Sequence, residues 1–419
     1  MKTVNSSCAP KAAPGFGVGR MVAAVAGLAV AQAAMGVSTV YTWIGPVNGT
    51  FSSTANWNPT GVPDALGEAF ELAGGTANMT SAASVDWFNL QSGTLNIANA
   101  VFLQVDTQAP NGTNETGIGG GGTINLNSTV SSTGLRLFSG VAGDKFIWGN
   151  VQPGVTSVIN MGAGVNNQIT GSLTGLVLVN QAVIQGGGQI GLNILNIENS
   201  SGVPGSPAII ESNIAGATLT LDPASGGLLN DGVIRCSAGV LRLIGGNYTQ
   251  TANGLVELVG SDVDGRSAVT GATLQGGTLR QTANGLNNYV ELLTSSTLSS
   301  VNLQGAKVRV PNGQTASIIG NVVIDATSQL ALNSVNSTAA LQVASGETSA
   351  TLSGAGGIVM SNAVNNVIRA TTTGQELIND LGAGIVGSGQ LGNNTLVVTN
   401  NTLVESNNTT GLTIDPPTA

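Results

Sequence analysis

A chain of 419 residues carries 61 Gly, 8% charged and 3% aromatic residues, and a formal net charge of −9. Its 41% hydrophobic content is enough for a dry interior and argues against wholesale disorder, while the few Lys and Arg form no basic patch for a phosphate backbone, so nucleic acid is not an expected partner. Histidine is absent and the only cysteines are Cys8 and Cys236, which removes the Ser-His-Asp arrangement and any zinc site built from Cys and His.

Residues 1–20 hold Lys2, Lys11 and Arg20 and no acid. An apolar run follows from Met21 to Ala31, and Ala31-Gln32-Ala33 has the small-residue spacing of a signal-peptide cleavage site. The expectation is a signal peptide over 1–33, cut near Ala33, and an exported chain. A membrane anchor is the alternative, but the run is shorter than the about 20 residues that span a bilayer, and polar Ser38, Thr39 and Thr42 follow closely. Met21 offers an alternative start, at the loss of the charged flank. Removing the leader takes away three cations, so the net charge of −9 becomes −12 and Cys236 is the one thiol left. No later segment approaches the length of a membrane span.

Residues 34–85 read as an N-terminal module with Trp43, Asn56-Trp57 and Gly61-Val62-Pro63-Asp64. Trp43, Trp57, Trp87 and Trp148 all lie in the first 148 residues, and beyond them only Tyr248 and Tyr289 are aromatic. Large rings near one end suit a cap over an open strand edge. A carbohydrate-stacking platform is the sharper alternative.

From 86 to 419 the chain reads as short strands. The runs starting at Gly93 (GTLNIANAVFLQV), Ala217 (ATLTLDP), Gly239 (GVLRLIGG), Gly254 (GLVELVG) and Gly277 (GTLRQT) alternate apolar and polar residues, the period of a half-buried strand. Gly and Asn punctuate them where positive-φ corners are needed. A sandwich and a stacked solenoid both fit. The unbroken pattern, the sparse charge and a visible repeat favour an all-β solenoid forming a single elongated rod. With about 20 residues per coil it has about 16 coils after residue 85. At ~4.8 Å per coil the rod is about 75–80 Å long, with Val, Leu and Ile inward and Asn and Thr outward.

The repeat is long. Met161, Val165-Asn166-Asn167, Gly175 and Asn180 match Met360, Val364-Asn365-Asn366, Gly374 and Asn379 at one offset. Gly188-Gln189-Ile190-Gly191 then matches Gly389-Gln390-Leu391-Gly392, and Leu219 to Pro223 matches Leu412 to Pro416. The copies span about 159–223 and 358–416, and slips between them fall at Gly-rich points where a solenoid puts its corners. A shorter echo, QTANGL at Gln250 and again at Gln281, reads as one and a half coils. The second long copy stops at Asp415-Pro416, where the first continues into further strands. A truncated chain or an open final coil is expected.

The N-terminal motif together with the long repeat resembles exported bacterial β-strand-repeat and autotransporter-passenger-like surface proteins, over about 41–70 and 159–416. The resemblance implies a right-handed parallel β-helix and a surface, adhesin-like or matrix role. The chain departs from it in carrying no β-barrel translocator or C-terminal sorting signal.

Candidates for chemistry are few. On a strand, Asp262 and Asp264, in SDVDGRS, would share one side and suit a cation, but Gly265 comes too early for a calcium loop and no ligand Glu follows. A solvated turn is the plainer reading. Asp222 and Asp415, each before Pro, read as strand-ending turns. The Gly-rich stretch 117–126 lacks the Gly-Lys-Ser/Thr of a nucleotide loop. Lys307 and Arg309 suit a lyase base and its partner, with no acid cluster near them in sequence. Cys236, alternating with Ile234, reads as core. These features point to a non-enzymatic rod at the cell surface or in the matrix, without cofactor, its partners surface glycans or other cell-surface proteins. A polysaccharide-cleaving β-helix enzyme and a fragment of a larger surface protein are the alternatives.

Overall fold

The computed structural model describes residues 39–106, 115–119, 121–149, 156–202, 207–259, 266–282 and 289–418. Among them every regular element is a strand except one 3-10 turn, Thr54–Asn56. No helix among them is long and apolar enough to cross a membrane.

The strands form three parallel ladders. The first opens with Thr39–Trp43, Glu68–Glu71 and Trp87–Asn89 and ends at Leu412–Ile414. The second opens with Asn48–Thr50, Thr76–Met79 and Thr94–Ile97. The third opens with Ala83–Val85, Phe102–Asp106 and Thr133–Phe138. The chain visits the ladders in turn, so a strand pairs with the one that follows a full circuit later. Ile209–Leu221, Val233–Ile244 and Thr315–Ile324 bend at a corner and serve two ladders each.

Alternation fixes what faces in. Thr94–Ile97, Thr123–Leu126 and Val158–Met161 share one pattern, half-buried then buried. Register stacks Leu95 on Ile124 and Ile124 on Ile159, all fully buried. Each rung thus removes an aliphatic side chain from water, worth about 1.5–3 kcal/mol apiece.

The circuits are larger and fewer than the sequence suggests. Register spacing runs from 18 residues (Ala69 to Trp87) to 35 (Thr123 to Val158). Fifteen steps carry the first ladder from Thr39 to Leu412, about 25 residues each and about 70 Å in all at ~4.8 Å per step. Three strands close a circuit, and both faces and corners vary in length, as from Trp87–Asn89 with three residues to Leu176–Gln181 with six on the first ladder. The QTANGL echo spans one circuit and one face, since Gln250 ends a first-ladder strand and Gln281 a second-ladder strand.

At the N-terminal edge, Trp57–Asn58 runs antiparallel to the first strand, with Trp43 opposite Trp57. Trp43, Trp57, Phe51 and Phe70 meet edge to face at 4.9–5.7 Å, and Phe70 stacks on Phe88 at 5.2 Å. Trp57 donates Nε1–H to Phe51 O at 2.7 Å. These buried rings form the apolar floor of the first circuit, and buried faces cannot stack on a sugar. The other two tryptophans are not part of it: Trp87 is half-buried and Trp148 lies in the core two circuits farther along the first ladder.

Candidate functional surface

One outward position of the second ladder forms an unbroken row. Register aligns Asn78, Asn96, Asn125, Asn160, Gln185, Glu211, Arg235, Glu257, Arg280 and Gln304. Along its first part each amide donates to the carbonyl of the rung before. The distances are 2.8 Å for Asn96 to Asn78, 2.8 Å for Asn125 to Asn96, 2.9 Å for Asn160 to Asn125 and 2.7 Å for Gln185 to Asn160. A primary amide has two N–H donors and two acceptor lone pairs, so Asn96, Asn125 and Asn160 each keep one of each for a ligand or water, while Asn78 spends both N–H groups on Asn48 Oδ1 and Gly49 O. Farther on the row is ionic. Glu257, buried, accepts from Arg235 Nε at 3.2 Å and from Arg280 Nη2 at 2.6 Å.

Asparagine is also inside. Asn180, Asn199 and Asn230 are fully buried at the corner that leaves the first ladder. Asn180 Nδ2 donates to Asn199 Oδ1 and Asn199 Nδ2 to Asn230 Oδ1, both at 2.8 Å. Backbone carbonyls of Ile209, Val233 and Leu255 take further N–H bonds at 3.1–3.3 Å. The expectation that Asn faces outward is therefore corrected. A corner exposes backbone groups that no ladder satisfies, and an amide side chain can supply both donor and acceptor there.

A second corner device is shared by distant circuits. Asn99 Oδ1 accepts N–H bonds from Thr129, Val130 and Ser131, and Asn312 Oδ1 from Val335, Asn336 and Ser337, all within 2.8–3.1 Å. The bridged corners read Asn127-Ser128-Thr129-Val130-Ser131 and Asn333-Ser334-Val335-Asn336-Ser337. The internal repeat thus reaches back beyond 159 and 358, through a signal that was present in the sequence.

Of Lys307 and Arg309, the arginine meets an acid after all. Arg309 lies beside Glu291 on the third ladder. Its Nε donates to Glu291 Oε1 at 2.9 Å and its guanidinium carbon sits 4.5 Å from the centre of the Tyr289 ring. Eighteen residues separate Arg309 from Glu291, and only the circuit register reveals the pairing. An open groove of about 360 Å³ begins at Arg309 and runs past Asn312, Asn333 and Val335 to Ser361. On the first ladder, Lys145 reaches Glu198 at 3.1 Å across the intervening strand, over outward Val177 and Val179, which are only 8% and 4% exposed. The long side chains cover apolar surface while their charged ends stay wet.

Asp262 and Asp264 lie outside the described residues, as do the leader and Ala33. Among the described residues no three His, Cys, Asp or Glu side chains are placed to hold a metal ion. Asp222 and Asp415 do end strands. Their carbonyls accept Asn193 N–H at 2.7 Å and Asn394 N–H at 2.8 Å, closing equivalent positive-φ corners in the two repeat copies. Cys236 is buried, and desolvation pushes its thiol up to about 11, so little thiolate forms at neutral pH. Tyr248 is likewise core. Burial raises its phenol well above the ordinary value, and its hydroxyl donates to Leu221 O at 2.6 Å. No family model, curated protein or solved structure matches the chain.

Proposed function

We propose that the chain is a right-handed parallel β-helical repeat protein that leaves the cell through a signal peptide cut near Ala33. It stands at the cell surface or in the matrix as a structural, adhesin-like rod without catalytic role. The observation that carries this reading is the second-ladder row from Asn78 to Gln304, ten rungs that span about 43 Å at ~4.8 Å per rung. Its amide rungs, Asn78 to Gln185, repeat one weak polar contact on a rigid flat side, which suits multivalent attachment to glycans or other surface proteins. Catalysis by paired carboxylates needs two acids facing one bond. Here Glu257 and Glu291 stand on different ladders and each is held by arginine. Cell fractionation with an antibody against residues of the rod tests the proposal. The shortened chain is expected outside the cytoplasm. Recovery of the full-length chain only in the cytoplasm would refute it.

A further inference from the structure

We propose that the third ladder from Val233–Ile244 to Lys307–Pro311 binds an acidic polysaccharide, a polymer with uronate carboxylates repeated along its length. The proposal rests on the surface-rod reading, which places the chain where such a polymer is met. The whole chain is acidic, with 12 cations against 21 acids. On this stretch the balance reverses. Register aligns Arg242, Ala268, Glu291 and Arg309 as successive rungs, and Lys307 stands two residues before Arg309 on the same side. Glu291 is the only acid on the described strands of this stretch.

That single acid is spoken for by Arg309. Arg242 is exposed and Lys307 half-buried, and neither forms an ion pair among the described residues. Arg242 and Arg309 are three rungs apart, about 14 Å along the rod at ~4.8 Å per rung. Ala268 leaves the ground between them low, and Tyr289 beneath Arg309 adds a flat ring at the side. The open groove continues this track from Arg309 to Asn333, whose amide suits sugar hydroxyls. Guanidinium groups pair with carboxylates through two parallel N–H bonds. A nucleic acid is the less suited polyanion, because one charge per about 1.7 Å meets strong repulsion from the rest of an acidic protein.

The test uses the full chain in affinity gels containing polygalacturonate, neutral dextran or single-stranded DNA, with folding of each variant checked by circular dichroism. The wild type is expected to be retarded by polygalacturonate at low salt and not by dextran. The retardation fades as salt rises. Arg242→Gln with Lys307→Gln is expected to weaken retardation about tenfold, while Arg369→Gln, away from this face, leaves it unchanged. Absence of retardation, equal retardation of the double variant, equal retardation by dextran, or stronger binding to DNA would each overturn the proposal. Fractionation separates the two readings. A chain found outside the cell that ignores polygalacturonate sinks this inference alone, whereas a purely cytoplasmic chain sinks the surface role whatever it binds.

Discussion

Replacing Asn199 by Ala removes the middle rung of the buried amide stack. Three side-chain hydrogen bonds of 3.3 Å or shorter go, Asn180 Nδ2 to Asn199 Oδ1 at 2.8 Å, Asn199 Nδ2 to Asn230 Oδ1 at 2.8 Å and Asn199 Nδ2 to Val233 O at 3.3 Å, beside a long one from Asn199 Nδ2 to Ala208 O at 3.5 Å. At roughly 1 kcal/mol net for each bond, the loss is about 3 kcal/mol. It is not larger because the neighbours keep partners. Asn180 Nδ2 still reaches Ile209 O at 3.1 Å, and Asn230 Oδ1 still accepts Gly232 N–H at 3.3 Å. Asn400 supplies the control. It accepts from Asn379 Nδ2 at 2.6 Å in the same kind of stack, but it is exposed, so water replaces what Asn400→Ala removes. That variant is expected to cost about 0.5 kcal/mol. Urea unfolding gives the global figure, and amide exchange at Gly232 gives the local one, since its N–H donates into the stack. Exchange there is expected to quicken by about two decades in Asn199→Ala, about 1.4 kcal/mol per decade. If the two variants fall within about 0.5 kcal/mol of each other, burial is not what gives the stack its weight and the reasoning fails.

Glu257 is nearly dry while Arg235 and Arg280 remain partly exposed, at 5%, 31% and 40% of the side chain. Glu257→Gln is expected to cost about 1–3 kcal/mol, because two cations lose the charge between them. Neutralising Arg235, Glu257 and Arg280 together relieves the desolvation of the acid and is expected to cost less than Glu257→Gln alone. A triple variant less stable than the single one in urea unfolding would contradict this. Cys236 is expected to resist thiol alkylation at pH 8 in the folded chain and to react at the rate of a free thiol in urea. Burial is the first cause of the rise to about 11, and only a trace of thiolate exists three units below that value. Peptide mapping of the label checks it, and fast labelling of Cys236 in native buffer would show the site to be open.

Much of the scaffold is legible because its signal is local. The runs at Thr94, Leu255 and Thr278 alternate over four residues and are strands in the structure. The size of a circuit is not local. Nothing in the alternation says that three strands close it, and the corners vary so much that an average estimated from the faces comes out short. The buried asparagines escape notice for a related reason. Polarity argues for an outward position, and only the corner carbonyls make an inward one stable. Asn199 and Asn230 end first-ladder strands and Asn180 stands one residue before the end of another, each after inward aliphatic residues, and that recurrence was the available sign. The pairing of Arg309 with Glu291, and with it the cationic face, depends wholly on which residues the circuits bring side by side.

The long repeat shows what the scaffold demands and what it leaves free. Met161 lies on the second ladder and its counterpart Met360 on the third. Asn180 lies on the first and Asn379 on the second. Each match advances by one face, as the QTANGL echo does. A sequence can be reused on a different side only if every side asks for the same inward stack and the same corner. The details agree. Ile159 and Ile358 are both buried, and so are Ile184 and Ile385. Gly186 and Gly387 both turn at positive φ, 120° and 131°, where a Cβ would press within 2.1 Å of the carbonyl oxygen of Met161 or Met360. Outward positions agree less: Gln189 and Gln390 match, but the rungs of the amide row do not. Asn160 and Gln185, rungs of the amide row, correspond to Val359 and Val386. Packing and corner geometry therefore recur from copy to copy, while the outward rows differ from face to face. Under the proposed surface role, recognition resides in those rows, which the repeat itself does not specify.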